Sequence, residues 1–111
     1  MRFDIKTVSE ANMREHWAVK ARRKREQQMA FHFLWKTYKP VVSLPATITF
    51  VRHACNTLDS DNLAGAFKHV RDQLAKELNI DDGSPSINWL YRQVKTIKRE
   101  HYFMVDIKDA K

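Results

Sequence analysis

The sequence predicts an α+β fold: a small mixed β-sheet packed by two helices, in the order β-α-β-α-β-β. Two patterns support it. Short runs rich in β-branched and aromatic residues read as strands. Between them lie one long stretch without Pro or Gly and one segment whose apolar residues recur every three or four positions, and both read as helices. With 111 residues, 43% hydrophobic and 11% aromatic, the chain has material for one core and one domain spanning residues 1–111.

Residues 3–8 alternate apolar and polar and predict a short strand. Asn12, followed three residues later by Glu15, has the form of a capping box and predicts a helix running from there to about Lys36. Its apolar residues lie towards the two ends, and residues 22–28 have none. Such a polar stretch is either exposed or occupied by a ligand. Pro40 and Pro45 bracket a loop. Residues 46–53 suit a half-buried strand. Residues 61–79 form the second expected helix, with Leu63, Phe67, Val70, Leu74 and Leu78 on one stripe. A turn follows at residues 81–85. Residues 87–97 and 102–107 are two further strands around the charged tip Lys98, Arg99 and Glu100. In the last strand Phe103, Val105 and Ile107 share one face.

Charge is concentrated on the first helix. Arg14, Lys20, Arg22, Arg23, Lys24, Arg25, Lys36 and Lys39 face only Glu15 and Glu26, a surplus of six out of a net charge of +7. A polyanion is the class of partner this suggests, because each Lys or Arg that neutralises a phosphate releases counterions. The bland alternative is a solvated helix face. An anionic membrane surface fits less well, since no large apolar stripe adjoins the basic stretch. No apolar run approaches the ~20 residues of a membrane span. Residues 1–7 carry Arg2, Asp4 and Lys6 and lack the apolar centre of a signal peptide. Cys55 is the single cysteine, which excludes an internal disulfide and agrees with a reducing cytosol.

The acidic residues cluster at the two ends of the second helix. Asp59 and Asp61 stand two apart just before it, so in extended backbone they point to one side. Asp81 and Asp82 lie just past its other end. Hard oxygen ligands of this kind suit Mg²⁺, and a carboxylate-held divalent ion can serve phosphodiester hydrolysis. The alternative makes Asp61 a helix cap and Asp81 and Asp82 turn residues. A polyanion-binding helix beside a carboxylate cluster favours a metal-dependent nuclease.

The order Asp59-Ser60-Asp61-Asn62-Leu63, then Lys68, Asp72 and Leu74, then Ile80-Asp81-Asp82, resembles the RusA-type Holliday junction resolvases of bacteria and their phages. The resemblance covers roughly residues 46–108 and includes the final pair of strands with a basic tip. It implies a homodimer that binds four-way DNA junctions and nicks two strands with Mg²⁺ or Mn²⁺ in the cytoplasm of a bacterial or phage-infected cell. It also implies catalytic, metal-binding roles for Asp59, Asp61 and Asp82, and a catalytic role for Lys68. The ungapped position of the family's lysine is Gly65 here, and Lys68 aligns with three residues inserted ahead of it. Lys68 is seven residues from Asp61, which on one continuous helix is within ~20° of two turns. Asp72 would then hold it by an i,i+4 pair.

His53 and Cys55 lack the further ligands of a zinc site. His16 is a candidate DNA contact beside Arg14, and the other histidines read as packing or surface residues. Trp17, Trp35 and Trp89 read as core or dimer-interface aromatics. With only Gly65 and Gly83 there is no phosphate-cradling glycine loop, and no nucleotide cofactor is expected. The expected DNA contacts are Arg14, Lys20, Arg22, Arg23, Lys24 and Arg25. The competing reading is a non-catalytic DNA-binding protein that uses the basic helix 14–39.

Overall fold

The computed structural model describes residues 1–10, 14–97 and 99–110. Asn12, the expected cap, and Lys98 of the charged tip lie outside the described residues. The elements in chain order are β1 (Arg2–Phe3), α1 (Trp17–Tyr38), β2 (Ala46–Ala54), α2 (Ser60–Ala66), α3 (Lys68–Glu77), β3 (Ile87–Lys95) and β4 (Tyr102–Asp109). The α+β class is as expected. The difference in detail is that the second helix is two helices.

The strands form one mixed sheet in the order β1-β4-β2-β3. β4 runs antiparallel to β1 and β2, while β2 and β3 are parallel. Parallel neighbours need a crossover connection, and α2 and α3 provide it. In β2 every second residue, Ala46, Ile48, Phe50, Arg52 and Ala54, is buried. The core is largely aromatic. Phe3 stacks on Phe31 at 4.6 Å and on Phe103 at 5.2 Å, and Phe50 stacks on Phe67 at 4.9 Å. Val70 and Leu74 of α3 and Leu63 of α2 join this cluster. Fully burying each such side chain is worth about 1.5–3 kcal/mol.

β1 is shorter than the alternation of residues 3–8 predicts. Only Arg2 and Phe3 pair with β4, opposite Met104 and Phe103. The alternation continues all the same, since Ile5 and Thr7 are buried. Side chains replace the missing ladder: Gln27 Nε2 donates to Lys6 O at 2.8 Å, and Thr7 N–H donates to His101 Nε2 at 3.2 Å.

Helix α1 begins at Trp17, and His16 caps it by accepting the Ala18 N–H on Nδ1 at 3.1 Å. Its inward stripe is Gln27, Phe31 and Trp35. It ends where Lys39 turns left-handed at φ 49° ahead of Pro40. Trp35 is a core aromatic as expected, but Trp17 is 74% exposed and belongs to no core.

The break between α2 and α3 falls at Phe67, whose backbone (φ −98°, ψ 4°) leaves the helical region. Gly65 weakens the helix two residues earlier. Phe67 is then free to sink its ring fully into the core, edge-on to Phe103 at 5.3 Å. The wheel that placed Lys68 in phase with Asp61 assumed one continuous helix, so it does not hold.

Candidate functional site

Asp59 is the N-cap of α2. Its Oδ1 accepts the Asn62 N–H at 2.9 Å and its Oδ2 accepts Asn62 Nδ2 at 3.1 Å. The capping role foreseen for Asp61 therefore belongs to Asp59, because a helix start selects whichever acid has extended backbone one residue ahead of it. Ser9 Oγ donates to Asn62 Oδ1 at 2.9 Å and ties this corner to the N-terminal segment. Gln93 clamps the preceding loop by accepting the Leu58 N–H at 2.9 Å and donating to Leu58 O at 2.6 Å.

Asp61 is exposed in the first turn of α2. It lines a groove of about 300 Å³ with Ser9, Glu10, Asn62, Gly65, Lys68 and His69. Nothing lies within 4 Å of where a Cβ on Gly65 would stand. Gly65 and Lys68 thus open onto the same groove. Despite the helix break, the lysine lines the groove that the ungapped position faces.

Lys68 also lines a second groove, of about 420 Å³, with Lys24, Gln28, Asp72, Lys76, Asp81 and Asp82. The Asp82 carbonyl is fixed by Arg71 Nη2 at 2.9 Å and Trp89 Nε1 at 3.1 Å. Asp72 first, then Asp81, hold the Asp82 carboxyl above the usual carboxylate range, against a lowering from Arg71. Asp81 lies below its ordinary value because the Gly83 N–H donates to its Oδ1 at 3.0 Å. Asp72, expected to pair with Lys68, presses on Asp82 instead. No ion pair joins Asp72 to Lys68 among the described residues.

The expected metal trio is not assembled as a unit. Among the described residues no group of three or more His, Cys, Asp or Glu side chains is placed to hold a metal ion. Asp59 is committed to its cap, and Asp61 and Asp82 line grooves on either side of Lys68. A smaller donor set does fit Mg²⁺, which commonly takes one or two carboxylates and completes its shell with water and phosphate oxygens. Asp82 and Asp72 are such a pair, close enough that Asp72 raises the proton affinity of Asp82.

The basic helix divides in two. Arg14, Arg22, Lys24 and Arg25 are exposed, and Lys20 is half-buried. Arg23 is not a free cation. Its two terminal nitrogens donate to Glu10 and, at 2.6 Å, to Glu15. Glu15 first, then Glu10, hold the Arg23 guanidinium above its ordinary pKa. Burial pushes Glu10 up, but the bonds from Arg23 and His69 outweigh it and leave Glu10 below its usual range. Gln28 Nε2 also bonds inward, to His69 O at 3.1 Å. One side of the polar stretch 22–28 is therefore neither exposed nor ligand-bound, but packed through polar contacts.

Sequence reasoning passed over Arg52. It is 3% exposed on the inward face of β2, with Nη1 donating to Asn56 O at 2.7 Å and Nη2 to Asn56 Oδ1 at 3.2 Å. Its signal was available: an arginine in the inward phase of an alternating strand. Compared with known proteins, the chain matches no family model, no curated protein and no solved structure.

Proposed function

We propose that the protein is a metal-dependent, structure-selective endodeoxyribonuclease that resolves four-way (Holliday) junctions in recombination or repair by paired phosphodiester hydrolysis. The observation that carries this reading is the position of Lys68, which lines both the groove of Asp61 and the groove of Asp82, the latter shared with Lys24 of α1. An ammonium there stabilises charge developing on a scissile phosphate. Asp82 and Asp72 would hold the Mg²⁺ or Mn²⁺, while Asp61 lines the neighbouring groove across Lys68. When bound, the ion supplies an activated water and stabilises the leaving oxygen. Arg22, Lys24 and Arg25 bind backbone phosphates and give affinity without base selection. Two symmetric nicks call for two copies of the chain, and the exposed Met29 and Phe33 of α1 offer apolar surface for a homodimer. Among the described residues no helix is long and apolar enough to cross a membrane. The reaction would take place in the cytoplasm of a bacterial or phage-infected cell.

Single-turnover cleavage of a synthetic four-way junction in Mg²⁺ tests the reading. Asp61→Asn abolishes cleavage and leaves junction binding intact or tighter. Lys68→Ala slows cleavage by about tenfold or more, ~1.4 kcal/mol of barrier, with little change in affinity. A wild-type rate in either variant removes that residue from the site. The second reading, DNA binding without chemistry, is favoured by the capping role of Asp59 and the missing three-ligand group. It prevails if the unmodified chain binds junctions but cuts none in Mg²⁺ or Mn²⁺.

A further inference from the structure

A cavity of about 600 Å³ lies beside the Asp59 corner, where the N-terminal segment crosses the ends of β2 and β4. Lys6, Thr7, Ser9, Arg52, Asn56 and His101 supply most of its polar lining, and no carboxylate is among the described residues that line it. Arg23 also reaches it, but Glu10 and Glu15 neutralise that charge. Lys6 and Arg52 have no ion-pair partner among the described residues. Arg52 is the unusual member. It is buried, bonded only to the uncharged Asn56, and its Nε–H has no partner. Burying a charge without a counter-charge is costly, and one orphaned donor adds to that cost.

We infer that this cavity is a seat for a phosphate group, with Arg52 as its central donor. The planar guanidinium fork suits a tetrahedral oxyanion, and the Lys6 ammonium adds a second positive charge to the lining. The local field agrees: burial first, then Arg52 and Lys6, push the His101 imidazole below its ordinary pKa. Burial likewise lowers Arg52, a cost to its charged form that a bound anion would offset. Ser9 lines both this cavity and the Asp61 groove, and Lys68 joins that groove to the Asp82 groove. The seat thus lies at one end of a track of three grooves linked by shared lining residues. We assign it to a backbone phosphate of a DNA strand lying along that track. Only this source of the phosphate rests on the nuclease reading; the seat does not.

The test follows the Arg52 Nε–H resonance of the full chain by ¹⁵N-resolved NMR. Inorganic phosphate is titrated against chloride at equal ionic strength, and four-way junction DNA is added separately. Both should shift the resonance saturably, and phosphate should compete with DNA. Arg52→Lys keeps the charge but loses the fork, and should weaken junction binding by about tenfold, with a near-ultraviolet spectrum that certifies its fold. Lys6→Ala, on an exposed residue, should weaken both ligands without a folding defect. A resonance that moves with phosphate but not with DNA overturns the assignment to a strand. A resonance that moves with neither overturns the seat. An unmodified chain that cuts no junction in Mg²⁺ or Mn²⁺, with the Arg52 response intact, would sink the nuclease reading alone.

Discussion

Asp82 shares its groove with Asp72 and Asp81, and the folded protein registers that crowding as raised proton affinity. Below the ordinary carboxyl range Asp82 is protonated whether folded or not, and the crowding has no effect. As pH rises through the raised pKa, the folded state must carry the charge among like charges, and stability is lost. Asp82→Asn should therefore raise the thermal midpoint near pH 7 and leave it unchanged near pH 3. Mg²⁺ should raise the midpoint of the unmodified chain at neutral pH but not that of the variant, and an equal response in both would exclude Asp82 as a ligand. Arg23 has the opposite sign. Glu10 and Glu15 sit below their usual range, so their contribution is present at neutral pH and lost as pH falls through the depressed values. Melting curves should show Arg23→Ala more damaging than Arg22→Ala near pH 7, with the difference fading in acid. The places of Asp61, Lys68 and Asp82 in or beside the helical segment were legible, because sequence spacing sets them there whatever its details. Which of two acids becomes the cap was not, since either has the right chemistry and only backbone angle decides. The pairing of Arg23 was hidden because Glu10 belongs to a segment whose approach to α1 is a tertiary event.

At the scale of elements, the hydrophobic pattern located β2, β3 and β4 to within two residues, overran β1, and left the long helix to a run without Pro or Gly. It failed at Phe67, where apolar spacing alone cannot distinguish a continuous helix from two helices sharing a core-directed residue. The ring of Phe67 touches Phe50, Tyr91 and Phe103. Phe67→Ala should cost about 3–5 kcal/mol, read as a fall in urea midpoint. It should also release the start of α3, and so blunt junction cleavage beyond its effect on stability. Helix α1 makes a separate prediction. Replacing Arg22, Lys24 and Arg25 together by Ala should flatten the salt dependence of DNA binding by about 0.9 for each phosphate that is no longer neutralised. Adding Arg23→Ala should change stability and leave that slope where it was. An unaltered slope in the triple variant would return the exposed charges to the role of a solvated face.

For the molecule as a whole, composition set the size well: the Cα radius of gyration is 13.8 Å, close to the ~13 Å of a compact chain this long. Sheet order was not legible, because nothing local to β1 or β4 says that they pair. They do so tightly. The Met1 amino group donates to Val105 O at 3.0 Å, and the Val105 N–H donates to Met1 O at 2.8 Å. That pairing governs how the chain is born. β4 is made last and lies between β1 and β2, so β1 has no neighbour in the sheet until residues 102–109 have left the ribosome. At ~5–20 residues per second, synthesis leaves Phe3 without Phe103 for about 5–20 s, and Phe31 and Phe50 for shorter intervals. A nascent chain stalled after residue 101 should remain open to protease, and release of the last strand should close it in one step. The native sheet is thus completed only by the strand made after the other three, and a chaperone that shields aromatic surface would have its whole opportunity before that strand arrives.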